Sequence, residues 1–265
     1  MTGGRVVIVG GGVIGVSIAL HLHRIGHDEV TIVDAARLGT GTTSAGTGGI
    51  RHQFGSEVNI RLVRDSIPEF LALTEDPDND FRFRQHGYVF AASTPEQLAA
   101  LRRSAELQNS LGVGTVILTP EELGELAPHV ALDGLIGAAY CASDGSGITQ
   151  DAFAAIAAMV RRSPVEIRED ERVSGFARDA TGAVRGVETA QGVIGGDIVI
   201  IATGPSARAT GRLAGLDLPV TPRSRQAFAL EHEVDPALPL VVDLATGAYL
   251  HPRRAGDVVD RKSVV

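Results

Sequence analysis

The sequence has one cysteine, no tryptophan and one lysine in 265 residues. A single cysteine excludes a disulfide framework and a cysteine-rich zinc site. Aromatic residues make up 4% of the chain, and no apolar run reaches the ~18 residues that a membrane-spanning helix needs. The apolar stretch Val6–Leu22 is broken by glycines and lacks the basic start and small-residue cleavage site of a signal peptide. One cysteine and no export signal make the cytoplasm the expected compartment. Lys262 is the only lysine among 24 basic residues, a bias that reads first as genome base composition. A formal net charge of −8 argues against nucleic acid as a partner. Nothing in the sequence sets the oligomeric state.

What the chain does have is enough apolar content to fold. Hydrophobic residues are 44% and charged residues 21%, which excludes wholesale disorder. A chain of this length buries roughly 70–75% of its unfolded surface, as one large domain or two interleaved smaller ones. Glycine is abundant, 32 of 265 or about 12%, against ~7% on average. With no collagen period, these glycines mark turns and close backbone approaches.

Arg5–Val9 is a β-branched run suited to a buried parallel strand. Gly10-Gly11-Gly12 stops it, and Ile14, Ile18, Leu22 and Ile25 then recur at helical spacing until Gly26. Val30–Val33 is a second strand, closed by Asp34, and a polar Gly/Thr/Ser-rich segment spans Leu38–Gly55. A helix is expected from Glu57 to Leu73. The character then changes, with strands expected at Phe81–Arg84, Tyr88–Ala92, Val113–Leu118 and Leu135–Tyr140, and helices starting at the caps Thr94 and Thr149. A strand series follows over Val165–Ile194. Asp197–Ile201 returns as a buried parallel-type strand before Ala202-Thr203-Gly204-Pro205, and Pro222–Leu230 and Ala248–His251 are further expected strands. The fold class expected is α/β: a Rossmann-like dinucleotide-binding domain interrupted by an α+β domain with a mostly antiparallel sheet. The expected boundaries are 1–80 with 148–215 for the first domain and 81–147 with 216–259 for the second.

The strongest motif is Gly10-x-Gly12-x-x-Gly15, directly after a strand and opening a helix, with Asp34 at the end of the next strand. Gly10 permits the tight turn, Gly12 lets backbone approach a pyrophosphate, and Gly15 lets the helix lie close to the sheet. The helix N-terminus offers N–H donors and partial positive charge. Asp34 can accept from ribose hydroxyls and disfavours a 2′-phosphate. The following segment holds Gly39, Gly41, Gly46, Gly48 and Gly49 interleaved with hydroxyls, which reads either as a backbone wrapping a second phosphate and a flat ring or as a linker. No histidine pairs with carboxylates or cysteine at metal-ligand spacing, so no metal is expected. There is no Gly-x-Ser-x-Gly elbow.

Taken in order, the strand with Gly10–Gly15, Asp34, Thr43-Ser44-Ala45-Gly46, Gly49-Ile50-Arg51-His52-Gln53-Phe54, Gly87-Tyr88, Asp144-Gly145, Ala202–Pro205 and Pro222-Arg223 before Gln226 resemble the FAD-dependent amine and amino-acid oxidoreductases. These form the D-amino-acid oxidase superfamily, and the likeness is nearest its sarcosine oxidase/dehydrogenase and glycine oxidase branch. The resemblance implies that Gly10, Gly12, Val13, Ile14 and Gly15 hold the FAD pyrophosphate, and that Asp34 and Ala35 lie at the adenosine ribose. It implies Thr43, Ser44, Gly48 and Gly49 along the flavin, Val173 near the adenine, and Ala202, Thr203 and Gly204 beside the cofactor. Arg51 matches an arginine that binds the substrate carboxylate; the bland alternative is a surface or phosphate-facing arginine. His52 is either near the flavin or a solvated loop residue. Residues 39–50 contain no histidine, so FAD is expected to be non-covalent, and Cys141 is expected to be a small core residue.

The implied activity is oxidation of the C–N bond of an amino acid or N-methyl amino acid by hydride transfer to flavin N5, giving an imine that hydrolyses. The partners implied are an amino-acid or amine substrate and O2 or another electron acceptor. The alternatives are another FAD- or NAD-dependent dehydrogenase, or a non-catalytic fragment or assembly subunit that keeps the flavoprotein fold. Members of the family are usually longer, and the lysine that assists O2 in sarcosine oxidases would fall at or beyond the end of this chain, so the choice of acceptor stays open. Asp260–Val265 can be encoded by GAT CGG AAG AGC GTC GTG, a common sequencing-adapter run whose next triplet is a stop. Residues 260–265 are therefore expected to be a non-native tail.

Overall fold

Four β-branched residues, Val6–Val9, are all buried and form an interior strand of a four-stranded parallel sheet. The order is Ile198–Ile201, Val6–Val9, Val30–Val33, Glu166–Arg168. Because side chains alternate along a strand, the opening strand feeds two cores. Val6 and Ile8 pack with Ile32 on the helices Val13–Arg24 and Thr149–Arg161, through Val16, Leu20 and Val160. Val7 and Val9 pack with Val33 against Phe176, Val187 and Ile194. Those last three belong to an antiparallel sheet of Val173–Arg178, Val184–Thr189 and Gly192–Gly195. Each fully buried valine or isoleucine contributes about 1.5–3 kcal/mol, so this strand is a major stabilising element. The first helix ends as its glycine suggests: Gly26 has φ +81°, its N–H donates to the His23 carbonyl, and His27 N–H donates to Leu22.

The computed structural model describes residues 4–128, 130–224, 226–231, 235–252 and 257–260. Contacts divide the chain into two units, Met1–Gly46 with Thr149–Arg223, and Thr47–Ile148 with Ser224–Val265. The second unit is built on a seven-stranded sheet in the order Phe228–Glu231, Asp257–Asp260, Tyr249–Pro252, Leu240–Asp243, Tyr88–Ala92, Gly137–Cys141, Thr115–Leu118. All neighbours are antiparallel except Leu240–Asp243 beside Tyr88–Ala92. Its helices begin at hydroxyl caps: Ser56 before Glu57–Glu75, Thr94 before Pro95–Ser110, and a Thr119/Glu122 capping box before Pro120–Leu126. The architecture is the expected one, a Rossmann-like α/β unit interrupted by an α+β unit with a mostly antiparallel sheet. Among the described residues, no helix is long and apolar enough to cross a membrane.

The structure differs from these expectations in several details. Phe81–Arg84 is not a strand. The Phe81 N–H donates to Asn79 Oδ1 and the Phe83 N–H to Thr74 Oγ1, so side chains take the donors that a ladder would use. Both phenylalanines are buried beside Phe70, at ring-centroid distances of 5.9 and 6.1 Å; what looked like strand hydrophobicity is a helix-packing cluster. The strand expected from Pro222 starts only at Phe228. Leu240–Asp243, behind Pro239, is a strand that the sequence reading did not contain. Finally, the division between units falls at Gly46/Thr47, so the helix Glu57–Glu75 belongs to the second unit. Of the tail expected at 260–265, residues 261–265 lie outside the described residues.

Candidate functional site

At the carboxyl ends of Val6–Val9, Val30–Val33 and Ile198–Ile201, the first unit has a cavity of about 760 Å³. This is the place where open parallel sheets bind ligands. Gly10 has φ +110°, which a side chain would strain, and a Cβ on it would sit 2.5 Å from the Ala202 carbonyl oxygen. A Cβ on Gly15 would overlap the Gly10 carbonyl oxygen, and one on Gly12 would reach 3.2 Å from Thr43 Oγ1. The three glycines thus let the turn, the helix start and the returning strand crowd together without side chains between them.

The helix Val13–Arg24 starts at Gly12 with no side chain of Gly12's own to cap it and no acid in its first turn. Thr43 supplies the missing acceptor: Val13 N–H donates to its Oγ1 at 3.0 Å. With no acid within its own first turn, the positive end of the helix suits an anion. Asp34 accepts from Gly11 N–H at 2.6 Å through Oδ2 and from Ala36 N–H at 2.8 Å through Oδ1. Each oxygen keeps a further lone pair, and the residue lines the cavity.

Of the expected cofactor residues, Gly10, Gly12, Val13, Ile14, Asp34, Ala35, Thr43, Val173, Ala202, Thr203 and Gly204 line this one cavity. Gly15 stands behind Gly10. Ser44 does not line the cavity; its hydroxyl donates to Gly41 O at 2.9 Å inside a run of turns. Gly48 and Gly49 fall in the second unit. Glu171 is a wall residue that sequence reasoning missed. It is buried, accepts from Thr189 Oγ1 at 2.5 Å, and its N–H donates to the Asp34 carbonyl. No local pattern marks it, because Thr189 comes from the neighbouring strand of an antiparallel sheet.

In the second unit, Gly49–Ile50 pairs with Gly145–Ser146, and Arg51 follows. Its guanidinium lies over the Phe54 ring at 4.2 Å and near Phe90 at 5.0 Å and Tyr88 at 5.9 Å, and it donates to the Gln53 carbonyl. Among the described residues no carboxylate forms an ion pair with it. It borders a hollow of about 150 Å³ with Phe90, Leu101, Ser104 and Ala139. Aromatic faces hold a guanidinium without neutralising it, which leaves its fork available to an incoming carboxylate.

His52 is not a solvated loop residue. It is 6% exposed, and its Nδ1 lies 2.7 Å from Asp144 Oδ1. Asp144 is fully buried. The hydrogen bond to that carboxylate, helped by one involving Cys141 and opposed by burial, pushes the His52 pKa up to about 9. No histidine has such a partner at metal-ligand spacing along the sequence, but in space His52, Cys141 and Asp144 bring their donor atoms within 4.8 Å of one another. Sequence spacing hid this because the partners lie 92 residues apart. The short His52–Asp144 distance fits a hydrogen-bonded ion pair; two N/O ligands at ~2.0 Å on a tetrahedral ion would stand wider apart. Cys141 is a core residue beside Ile60 and Val113, as expected.

Comparison with known proteins agrees with this geometry. The family described as "DAO: FAD dependent oxidoreductase" matches residues 5–260. The 4-methylaminobutanoate oxidase (formaldehyde-forming) of Paenarthrobacter nicotinovorans is 29% identical over 255 residues, covering 93% of this chain and 30% of that protein. The glycine oxidase of Geobacillus kaustophilus is 30% identical over 255 residues, covering 94% of this chain and 67% of that protein. Among solved structures, L-proline dehydrogenase from P. horikoshii superposes with a TM-score of 0.88 at 29% identity, covering 98% of this chain and 69% of that one. The chain thus spans under a third of the length of the P. nicotinovorans relative. With the fingerprint, the cavity and the family match over nearly its whole length, the chain belongs to the DAO family of FAD-dependent oxidoreductases.

Proposed function

We propose that this chain carries the cofactor cradle and the carboxylate anchor of an enzyme that oxidises the C–N bond of an amino acid or N-methyl amino acid. The residues fit FAD: a turn without side chains, a helix start with no acid in its first turn, and an acid with free lone pairs around one cavity. Gly10, Gly12 and the N–H of Ile14 would hold the pyrophosphate, with Val13 in the same wall and Gly15 behind, keeping the helix close to the turn. Asp34 and Ala35 would meet the ribose, Val173 the adenine, and Ala202, Thr203 and Gly204 the wall facing them. Thr43, Ser44, Gly48 and Gly49 are assigned to the flavin side. Bound FAD supplies a two-electron acceptor for a hydride equivalent from the carbon beside nitrogen, leaving an imine that water hydrolyses. Arg51 grips the substrate carboxylate and so fixes which carbon is presented.

The observation that carries this reading is an arginine held on aromatic rings with no ion-pair partner of its own among the described residues, in a chain that also holds a dinucleotide cradle. The test is an anaerobic screen of amino acids and N-methyl amino acids against the FAD-loaded full-length protein. Bleaching of the flavin by at least one of them is the expected result. A protein that stays fully coloured with every member of the screen would sink the proposal.

A further inference from the structure

We infer that Asp144 is a positioning residue for Arg51, acting through His52 and Gln53; the inference rests on the carboxylate role proposed for Arg51. Asp144 is fully buried, yet among the described residues its side-chain hydrogen bonds all go to the two residues that follow Arg51. Its Oδ1 accepts from the His52 main-chain N–H at 2.7 Å and from His52 Nδ1 at 2.7 Å. Its Oδ2 accepts from Gln53 Nε2 at 3.2 Å, a group that also donates to the Tyr88 carbonyl at 2.8 Å. On the other side of Arg51, Ile50 is in register with Gly145, the residue after Asp144. Arg51 is therefore bracketed: one neighbour is paired to the strand beginning at Gly145 and the other is clamped by the carboxylate just before it.

The turn that presents Asp144 is itself fixed. The Gly87 N–H donates to the Asp144 carbonyl at 2.9 Å, and a Cβ on Gly145 would overlap the Arg84 carbonyl oxygen. The Gln53 carbonyl, whose side chain Asp144 holds, is the acceptor that the Arg51 guanidinium uses. A buried carboxylate is strongly destabilising unless hydrogen bonds and charge compensate it. Here three donors come from the segment to be positioned, so residues 52 and 53 are held where those donors meet the carboxylate. The guanidinium is thereby held over Phe54 and Phe90 before any substrate arrives, which lowers the ordering cost of binding.

The test measures KM and kcat of the FAD-loaded full-length protein for the substrate that bleaches the flavin fastest. Arg51→Ala, Asp144→Asn and the double variant form a cycle. Asp144→Asn is expected to raise KM about tenfold with kcat within about twofold, and to add nothing once Arg51 is already alanine. His52→Asn, whose amide nitrogen can replace Nδ1 as donor, is expected to keep KM within about twofold, while His52→Leu matches Asp144→Asn. Independent, multiplying losses in the cycle, or an Asp144→Asn enzyme with unchanged KM, would overturn the inference. Should Asp144→Asn fail to fold, the His52 pair decides: equal KM for the Asn and Leu variants overturns it. A wild-type protein that no substrate bleaches removes the proposed function and this inference together, whereas a bleached wild type with additive losses removes the inference alone.

Discussion

The cofactor cradle and the Arg51 segment are built by opposite means. The cradle is made by leaving side chains out: glycines at 10, 12 and 15 let main chain meet main chain. The Arg51 segment is made by putting side chains in, with a buried carboxylate, an imidazole and an amide converging from positions far apart in sequence. The first device fails when an atom is added, and the second fails when a charge or donor is removed. Function that depends on main-chain approach leaves a compact signature in sequence, while function that depends on converging side chains leaves almost none.

The largest break should come from adding atoms to the cradle. Gly15→Val drives its side chain into the Gly10 carbonyl, where backbone must move. The purified variant is expected to show no flavin absorbance. In the other region, Arg51→Ala removes charge without adding bulk. KM for carboxylate-bearing substrates is expected to rise about 100-fold, since hydrogen bonds to charged groups are worth ~1.5–3 kcal/mol. Steady-state kinetics checks this, and retention of FAD by that variant would separate the two regions cleanly.

A smaller effect follows from pH. His52 titrates at about 9 when folded, above the ~6.5 of an unperturbed imidazole. Folding therefore holds the proton more tightly, and the stabilisation is complete below about pH 6.5 and lost as pH climbs through about 9. Melting temperature measured from pH 6 to pH 10 should fall over that range, and His52→Asn should flatten that part of the fall. The smallest effect expected is Thr43→Val, which removes the acceptor for the Val13 N–H. It should cost about 1 kcal/mol in denaturant unfolding.

This contrast also accounts for what could be read in advance. The strand Val6–Val9, the glycine turn, the helix to Arg24, the strand Val30–Val33 with Asp34 and the return strand near Ile201 were legible because each is a local pattern of period, glycine and charge. The short run at Phe81–Arg84 misled because apolar residues flanking a helix look like a strand until their N–H partners are known. Arg51 and His52 could be singled out by resemblance, but Asp144 as the partner of His52, Gln53 as a tether and Glu171 in the cavity wall could not. Each becomes meaningful only when another segment is brought alongside. Thr43 was assigned to the cofactor, but its second task as the cap of a helix thirty residues earlier had no local signal.

The register of the first strand has a consequence for synthesis. Val6 aligns with Ile198, and the Gly10 turn abuts Ala202. During translation the fingerprint leaves the ribosome nearly two hundred residues ahead of its wall and its sheet neighbour. Loop closure over that span must precede any reward from pairing. Nucleotide capture therefore waits until Ile198–Ala202 have been made, and until then Val6–Val9 must be kept from other company.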